Sequence, residues 1–518
     1  MNRFFNGQAP FDRRQFWLAC TFLALLALVL RLPTLGSRSL WLDETYSAWF
    51  SALPLAELWT SVPLYETHPP MYYTLLKGWN LLFGASEPAM RALSVLASVV
   101  SVVLLAASAR LAGMGGVAQR VALLAALFLA LNATSVNFAQ QARPYALQTL
   151  AASAAILCSF VLLAGLSGRS PVVGPVRATR LWPWAAGLGI AAGCMLWLHN
   201  TGFFVALGIW SGLLVATVLF VRGRWRAGLL LAAAAGVLAL LVWTPFLPNF
   251  LLQNAGLARM SYWMRFVPRE LTNAWILPLG GSLVATPAVL LGALGIARLW
   301  KTRRDLVCHL LIVLLLAPLL MGAYSYLVKP VFVARLFVWM GPLLMAVLAL
   351  GVFALPALLR MPATAVMLAL SAFSTYSYYG KPTENWREML TLIEARMQAG
   401  DLVLALPNEI QLPVAYYGRG KLAPRVVYLP QPFPALGMAR TYIGNLGAPA
   451  VDGTDVAHVQ ALVQRNQRVW LIERRADLYD QQRTVAAALD ARLRSVETIK
   501  GRGMTVTLYD VGARQAVR

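Results

Sequence analysis

Two adjacent carboxylates, Asp43 and Glu44, follow the first long apolar run of the sequence, which extends from Phe16 to Leu32. A charged side chain near hydrocarbon is costly, so acids in such a place are usually functional or lie just outside the membrane. A carboxylate can act as a general base that takes a proton from a hydroxyl group. The structural alternative for this pair is a solvated loop or the capping of a helix.

Other polar side chains occur in segments that separate later apolar runs. They are Glu66 and His68 in "YETHPPMYY", Gln141 and Arg143 in "NFAQQARPYAL", His199 and Asn200 in "LWLHNTGFF", and Lys329 and Arg335 in "LVKPVFVARLF". Arg, Lys and His can neutralise the charge of a departing phosphate. Each of these residues can also be explained by a structural role. Glu66 suits a loop, and His68 suits a turn. Arg143 and Arg335 suit anchoring at a membrane interface, and His199 suits a tight turn.

The composition determines the kind of element that must position these residues. The chain is 59% hydrophobic and only 13% charged, whereas soluble domains are about 25% charged. Its mean hydropathy is +0.63, and apolar runs of bilayer-spanning length recur from Phe16 to about Tyr379. We therefore predict a polytopic α-helical membrane protein. The first run is too long for a removed signal peptide and is expected to be a retained span.

The net charge of +23 does not indicate nucleic-acid binding, because the arginines lie in short loops between apolar runs. These basic clusters are Arg3, Arg13 and Arg14; Arg110 and Arg120; Arg169, Arg177 and Arg180; Arg222, Arg224 and Arg226; Arg298, Lys301, Arg303 and Arg304; and Arg360. The four cysteines lie in or beside apolar runs and lack metal-ligand spacing, which predicts free thiols.

If all the basic loops are cytoplasmic, an even number of spans separates each loop from the next. That condition requires the segment 71–84 to lie at the membrane surface, as expected for a short, amphipathic and aromatic stretch. Eleven spans are then predicted, with the N-terminus inside and the C-terminus outside. They fall at about 15–34, 88–108, 118–135, 145–166, 182–198, 201–221, 227–247, 276–297, 308–327, 332–354 and 362–379.

The composition changes after Gly380. An amphipathic helical stretch precedes a Gly stop and a short buried strand, and three further strand-like runs, "RVVYL", "RVWLIE" and "MTVTLYDV", alternate with helical stretches near 455–467 and 478–493. This alternation predicts a small α/β domain over residues 381–518, beside a membrane domain over residues 1–380. The C-terminal segment contains no glycine-rich phosphate loop and no nucleophile motif.

The predicted topology places the polar residues at one membrane face. An acidic pair and several cations at the same face suit a reaction between a hydroxyl group and a lipid phosphate. The carboxylate would take the hydroxyl proton, and the cations would stabilise the leaving phosphate. We therefore interpret Asp43 as a candidate general base.

The stretches "LWLDETYSA", "HPPMYYTLLKGWNLLFG" and "QQARPYALQ" resemble, in this order, the membrane glycosyltransferases of the protein O-mannosyltransferase type, family 39 within the GT-C fold group. Bacterial relatives of that type include lipid A aminoarabinose transferases and rhizobial lipopolysaccharide galacturonosyl transferases. The resemblance covers roughly residues 15–380. It implies an inverting transfer of a sugar from a polyprenyl-phosphate donor to a hydroxyl acceptor in a lipid, glycan or protein.

The resemblance also implies roles for individual residues. Asp43 would be the catalytic base with Glu44 as its supporting neighbour, and His68 and Arg143 would bind the donor phosphate. His199, Arg335, Tyr46, Glu66 and Lys329 complete the predicted substrate-binding set. Related bacterial sequences often carry Glu at the position of Gln141, so a carboxylate role is not expected there.

We expect no protein-held metal and no other cofactor, because the external acids and histidines lack a dense ligand cluster. A divalent ion that joins Glu44 or Glu66 to the donor phosphate is the alternative. The implied location is the bacterial inner membrane, with a periplasmic active site and C-terminal domain. The competing functions are an oligosaccharyl transferase that uses a polyprenyl-diphosphate donor, a secondary transporter and a membrane scaffold, although the paired broken helices of a transporter are not evident.

Overall fold

The computed structural model describes residues 11–168, 178–260, 265–418, 420–438 and 447–511. Contacts divide the chain into two compact units. The first unit comprises Met1–Leu35, Arg91–Pro248 and Met264–Gly380, and the second comprises Gly36–Met90, Asn249–Trp263 and Lys381–Arg518. Three residues of the predicted basic loops, Arg3, Arg169 and Arg177, lie outside the described residues.

Apolar helices form the first unit. Two helices, Glu87–Leu111 and Leu247–Met260, have residues in both units. The others are Arg13–Arg31, Gly116–Ala130, Ala133–Ala139, Tyr145–Leu166, Trp182–Leu198, Gly202–Phe220, Trp225–Trp243, Asn273–Ile276, Ser282–Trp300, Arg304–Leu327, Gly341–Ala354 and Ala357–Tyr379. Helices satisfy their own backbone polar groups, which is the requirement for crossing hydrocarbon.

Ten helices in the described residues are long and apolar enough to cross a membrane. The pair Gly116–Ala130 and Ala133–Ala139 bends by 61° at a short break, and the total is eleven if this pair is one span. Asn132 causes a new helix start at the break, because its side chain accepts a hydrogen bond from the Ser135 N–H at 2.8 Å. The prediction of a polytopic helical protein with about eleven spans is confirmed.

Small residues allow the helices of the first unit to approach closely, as is usual in membranes. The helix Ser282–Trp300 packs against Gly341–Ala354. A Cβ atom added to Gly351 would lie 2.1 Å from the carbonyl oxygen of Leu291, and one added to Gly295 would lie 2.6 Å from the Gly351 nitrogen. Only glycine fits at these two positions with the helices at this spacing.

The second unit begins with short helices at Leu42–Ala52, Leu55–Thr60 and Met71–Phe83. The last has 13 residues, too few to cross a bilayer. Its C-terminal residues Leu81 and Leu82 are 80% and 78% exposed, which suits the predicted contact with a membrane surface.

The C-terminal part of the second unit is an α/β layer. Its helices are Trp386–Arg396, Gln411–Tyr417, Gly453–Arg465, Ala476–Tyr479 and Thr484–Asp490, and its strands are β1 (Leu402–Leu406), β2 (Val426–Tyr428), β3 (Arg468–Glu473), β4 (Arg494–Lys500) and β5 (Thr505–Asp510). The sheet order is β2-β1-β3-β5-β4, in which β1, β2 and β3 are parallel and β5 is antiparallel to both of its neighbours.

The core of this layer lies between the sheet and the helix Trp386–Arg396. Trp386 and Ile393 of the helix pack into one buried cluster with Val403 of β1 and Trp470 of β3. The predicted small C-terminal α/β fold is confirmed. The sequence did not predict β4, because that edge strand is almost fully exposed and has no apolar alternation.

Candidate active site

Asp43 lies in the first turn of the helix Leu42–Ala52, called here the Asp43 helix. The neighbouring Glu44 is only 1% exposed, and its carboxylate accepts a hydrogen bond from the Trp41 backbone N–H at 3.3 Å. Glu44 therefore stabilises the helix start, as the third residue of a capping box does. Asp43 is partly exposed, so the two adjacent acids differ in accessibility.

Aromatic rings cover the side of the Asp43 helix that carries Tyr46. The Tyr46 ring lies 5.5 Å from Phe433, and Phe433 lies 5.5 Å from Tyr65. Phe50, one turn further along the helix, lies 4.9 Å from Tyr73. Phe433 thus joins the Asp43 helix to the segment that leads into Glu66 and His68.

Glu66 and His68 form a tight pair inside the predicted "ETHPP" motif. The Glu66 carboxylate accepts the His68 backbone N–H at 2.8 Å and also contacts Nδ1 of the His68 ring. The buried amide of Gln253 donates to the backbone oxygens of Glu66 and His68 at 2.8 and 3.0 Å. The carboxylate fixes the direction of the imidazole ring, and Gln253 fixes the turn that carries it.

Arg143 of the first unit is 2% exposed and lies just before the helix Tyr145–Leu166. The Arg143 carbonyl accepts a hydrogen bond from the Ser94 hydroxyl at 3.3 Å. Gln140, three residues earlier, donates to the Arg31 carbonyl at 3.0 Å and accepts from the Tyr378 hydroxyl at 2.8 Å. Side-chain hydrogen bonds to three separate helices or their ends therefore hold the "QQAR" segment.

The structure brings His199 and Arg335 together around Tyr145. The His199 ring lies 6.3 Å from the Tyr145 ring, and the Arg335 guanidinium carbon lies 6.0 Å from the same ring. Nδ1 of His199 accepts the Thr201 backbone N–H at 3.2 Å. The same nitrogen contacts the Thr201 hydroxyl at 2.8 Å, so Thr201 fixes the direction of the imidazole ring.

Tyr145 and Gln148 are polar residues of this region that the sequence analysis did not select. Each is 1% exposed, and they lie one turn apart on the same helix face. The Tyr145 hydroxyl and both polar atoms of the Gln148 amide have no hydrogen-bond partner among the described residues. Buried polar groups are usually paired, so these atoms are candidates for contact with a ligand or water.

The predicted site residues are distributed between the two units. Asp43, Glu44, Tyr46, Glu66 and His68 belong to the second unit, and Arg143, His199, Lys329 and Arg335 belong to the first. Lys329 is partly buried. Gln141 donates to the Asn137 side chain at 2.9 Å.

Three contacts of the second unit involve residues far away in the sequence. Glu384 accepts the Leu42 backbone N–H, Glu409 accepts the Tyr46 hydroxyl, and Phe433 packs on Tyr46. No local motif marked these residues, because each lies in an ordinary loop or helix of the C-terminal layer. Within the described ranges, no group of three or more His, Cys, Asp or Glu side chains could hold a metal ion.

No protein-family model matches the sequence, and no curated protein matches it. Solved structures do match. The chain is similar to apo ArnT from Cupriavidus metallidurans, with a TM-score of 0.56 and 14% identity over 97% of this chain and 99% of that one. It is also similar to the archaeal oligosaccharyltransferase AglB from Archaeoglobus fulgidus, with a TM-score of 0.57 and 13% identity over 96% of this chain and 74% of that one.

A third match is ArnT from Cupriavidus metallidurans bound to undecaprenyl phosphate, with a TM-score of 0.53 and 14% identity over 96% of this chain and 98% of that one. At these identities the likeness concerns the fold. The chain has the GT-C fold of membrane glycosyl- and oligosaccharyltransferases, as the sequence predicted.

Proposed function

We propose that the protein is a glycosyltransferase that moves a sugar from a polyprenyl-phosphate donor to a hydroxyl group of a lipid, glycan or protein. The observation that carries this proposal is the contrast between Asp43 and Glu44. Glu44 is buried and bound to the backbone of its own helix start, whereas Asp43 is partly exposed and can meet a substrate. A helix start is a rigid support for a general base.

In the proposed reaction the Asp43 carboxylate takes the proton of the acceptor hydroxyl. The hydroxyl oxygen forms a bond to the anomeric carbon while the bond from that carbon to the phosphate oxygen breaks. The electron pair of the broken bond stays on the polyprenyl phosphate, and the new glycosidic bond has the inverted configuration. General-base assistance of this kind contributes about 10²- to 10⁴-fold in rate.

The cationic and donor groups are proposed to hold the donor phosphate. Arg143 and Arg335 supply guanidinium groups, which suit phosphate geometry better than a lysine does. His199 supplies an imidazole ring whose direction Thr201 fixes. His68, oriented by Glu66, and Lys329 are the other proposed phosphate ligands. The solved complex of ArnT with undecaprenyl phosphate supports a lipid phosphate as the ligand of this fold.

The proposed location is the bacterial inner membrane, with the reaction at the periplasmic face. Stacking on the partly exposed ring of Tyr46 suits a sugar, because aromatic side chains offer flat apolar surfaces of defined geometry. An oligosaccharyl transferase with a diphosphate donor is the second candidate, since AglB has a similar TM-score. The chain covers 99% of ArnT and 74% of AglB.

The test uses purified protein in detergent with a panel of lipid-linked sugars, offered as monophosphates and as diphosphates. Asp43→Asn keeps the size of the side chain and removes the proton acceptor. We expect its rate of transfer to fall about 10²- to 10⁴-fold with little change in donor binding. Arg143→Ala should weaken donor binding as well as transfer, because a charge-assisted phosphate contact is lost.

Transfer by Asp43→Asn at the wild-type rate would show that Asp43 is not the base. Transfer from the diphosphate donors alone would favour the oligosaccharyl transferase. Donor binding is measured separately for each variant, so that loss of binding is not mistaken for loss of the base.

A further inference from the structure

The C-terminal α/β layer makes direct hydrogen bonds to the Asp43 helix and to the residues before it. Glu384 accepts the Leu42 backbone N–H at 2.8 Å, and Glu409 accepts the Tyr46 hydroxyl at 2.5 Å. Both glutamates belong to the same contact unit as the Asp43 helix. They are 342 and 363 residues away from their partners in the sequence.

The Leu42 N–H is one of the backbone donors that a helix cannot satisfy within itself. Leu42 is the first residue of the Asp43 helix, and Trp41 before it offers no side-chain cap. Glu44 satisfies the Trp41 N–H from within the helix, and Glu384 satisfies the Leu42 N–H from the C-terminal layer. Glu384 also places a negative charge at the positive end of the helix dipole.

A partly buried arginine holds the Glu384 carboxylate. Arg474 follows β3 and donates to Glu384 at 3.1 Å. Burial by itself would lower the pKa of Arg474, but the neighbouring Glu384 and Glu409 carboxylates raise it above its usual value. Arg474 is therefore cationic. Glu384 also accepts the indole N–H of Trp386 at 2.8 Å, so both Arg474 and Trp386 hold its carboxylate.

Glu409 is fixed in a similar way. One carboxylate oxygen accepts the Tyr46 hydroxyl, and the other accepts the hydroxyl of Tyr479 at 2.7 Å. Glu409 is 6% exposed and Tyr479 is 2% exposed. Tyr46 lies three residues after Asp43, so Glu409 holds the turn of the helix that follows the candidate base.

Two further hydrogen bonds hold the segment that leads into the Asp43 helix, and a third holds the tyrosine that makes one of them. The Ser39 hydroxyl donates to Glu388 at 2.9 Å, and the Leu40 N–H donates to the Tyr417 hydroxyl at 2.6 Å. Tyr417 in turn donates to Glu87 at 2.5 Å. The C-terminal layer therefore holds the helix both at its entrance and along its first two turns.

We infer that Glu384 and Glu409 are positioning residues for the reaction at Asp43, Glu384 as a cap supplied from the C-terminal layer and Glu409 as the anchor of Tyr46. This inference rests on the proposed function. Neither glutamate takes part in proton transfer. They hold the base in place, and a displacement of about 1 Å can cost on the order of 10²-fold in rate.

The experiment compares Glu384→Ala, Glu384→Gln and the matched control Glu497→Gln in the full-length protein. Glu497 lies in the same layer, but its ion pair with Arg396 is exposed, with side chains 46% and 47% accessible. Such surface pairs contribute little. We measure kcat, the donor KM and amide hydrogen exchange of the peptide that contains residues 39–52.

Glu384→Ala should speed hydrogen exchange in residues 39–52 and lower kcat by roughly 10- to 100-fold, with the donor KM unchanged. Glu384→Gln should recover part of both properties, because its amide oxygen can still accept the Leu42 N–H. Glu497→Gln should match the wild type in all three measurements. A Glu409→Ala variant should show the same faster exchange and the same fall in kcat as Glu384→Ala.

Faster exchange in Glu384→Ala without a fall in kcat would overturn the positioning role, and unchanged exchange would overturn the cap itself. The positioning role would also be contradicted if kcat fell in Glu384→Ala, did not recover in Glu384→Gln, and hydrogen exchange stayed unchanged. If the wild type transfers no sugar from any donor, the proposed function fails and the catalytic part of the inference fails with it. Hydrogen exchange still decides the capping part in that case.

Discussion

At the scale of single residues, side chains of the same type differ in burial and in hydrogen-bond partners. Asp43 and Glu44 are adjacent acids, yet Glu44 is buried and bound to the backbone, whereas Asp43 is partly exposed. Gln119 and Gln148 are both buried glutamines. The Gln119 amide donates to the Met114 carbonyl at 3.0 Å, whereas the Gln148 amide has no hydrogen-bond partner in the part of the chain that the structure describes. These contrasts make Asp43 and Gln148 candidates for contact with a ligand.

Gln148→Leu tests this assignment. Leucine keeps most of the volume, and no hydrogen bond within the described protein is lost, so the melting temperature should be unchanged or higher. If the amide binds the donor phosphate, the donor KM should rise roughly tenfold or more, since hydrogen bonds to charged groups contribute about 1.5–3 kcal/mol. Donor titrations and thermal unfolding in detergent measure the two effects.

Gln119→Leu is the matched control, because it removes a real hydrogen bond at a similar burial. It should lower stability by about 1 kcal/mol and leave the donor KM unchanged. The reverse result, in which Gln148→Leu destabilises the protein and leaves the KM unchanged, would assign Gln148 to structure alone.

At the scale of elements, close helix packing and long-range capping determine where the polar residues lie. Glycine permits the contact between the helices Ser282–Trp300 and Gly341–Ala354. The Asp43 helix is too short to be stable by itself in water, so it depends on the layers that pack against it. Its cap and its aromatic cover both come from the C-terminal layer.

Gly351→Ala should destabilise the membrane helices. The added Cβ would meet the Leu291 carbonyl oxygen at 2.1 Å, so the two backbones must separate, at a cost of about 1–3 kcal/mol. Gly78→Ala is the control, because nothing lies within 4 Å of its Cβ position and alanine favours a helix by about 0.5–1 kcal/mol. Thermal unfolding should rank Gly351→Ala below the wild type and Gly78→Ala at or above it; equal values would refute the packing constraint.

The sequence predicted the elements whose physical causes are local. Long apolar runs predicted the spans, because a helix in hydrocarbon must be both apolar and about 20 residues long. Alternating strands and helices predicted the C-terminal layer. The sequence did not predict that Glu384 caps Leu42 or that Phe433 covers Tyr46, since no periodicity encodes contacts between residues more than 300 positions apart. For the same reason, the residues 36–90 were not predicted to form one unit with the C-terminal layer.

At the scale of the whole molecule, acidic residues are concentrated in the second unit. Only Asp12, Glu270 and Asp305 of the chain's 21 acidic residues belong to the first unit, and residues 91–248 contain none. The arginines, in contrast, are abundant in the loops of the first unit.

The arginine distribution further predicts that the chain after Gly380 is periplasmic. Alkaline phosphatase fused after Gly380 should be active, because that enzyme folds only outside the cytoplasm. A fusion after Gly223, in a loop with three arginines, should be inactive. A cytoplasmic reporter should give the opposite pattern, and its activity after Gly380 would contradict the eleven-span topology.

The cap that Glu384 provides has a consequence for the order of synthesis. Leu42 is translated 342 residues before Glu384, an interval of about 20–70 s at roughly 5–20 residues per second. During that interval the ribosome has delivered the Asp43 helix and most of the spans, but not the glutamate that completes the helix start. The nascent chain therefore passes through the translocation machinery without a finished Asp43 helix, and the cap of that helix is complete only when the C-terminal layer has been made and folded.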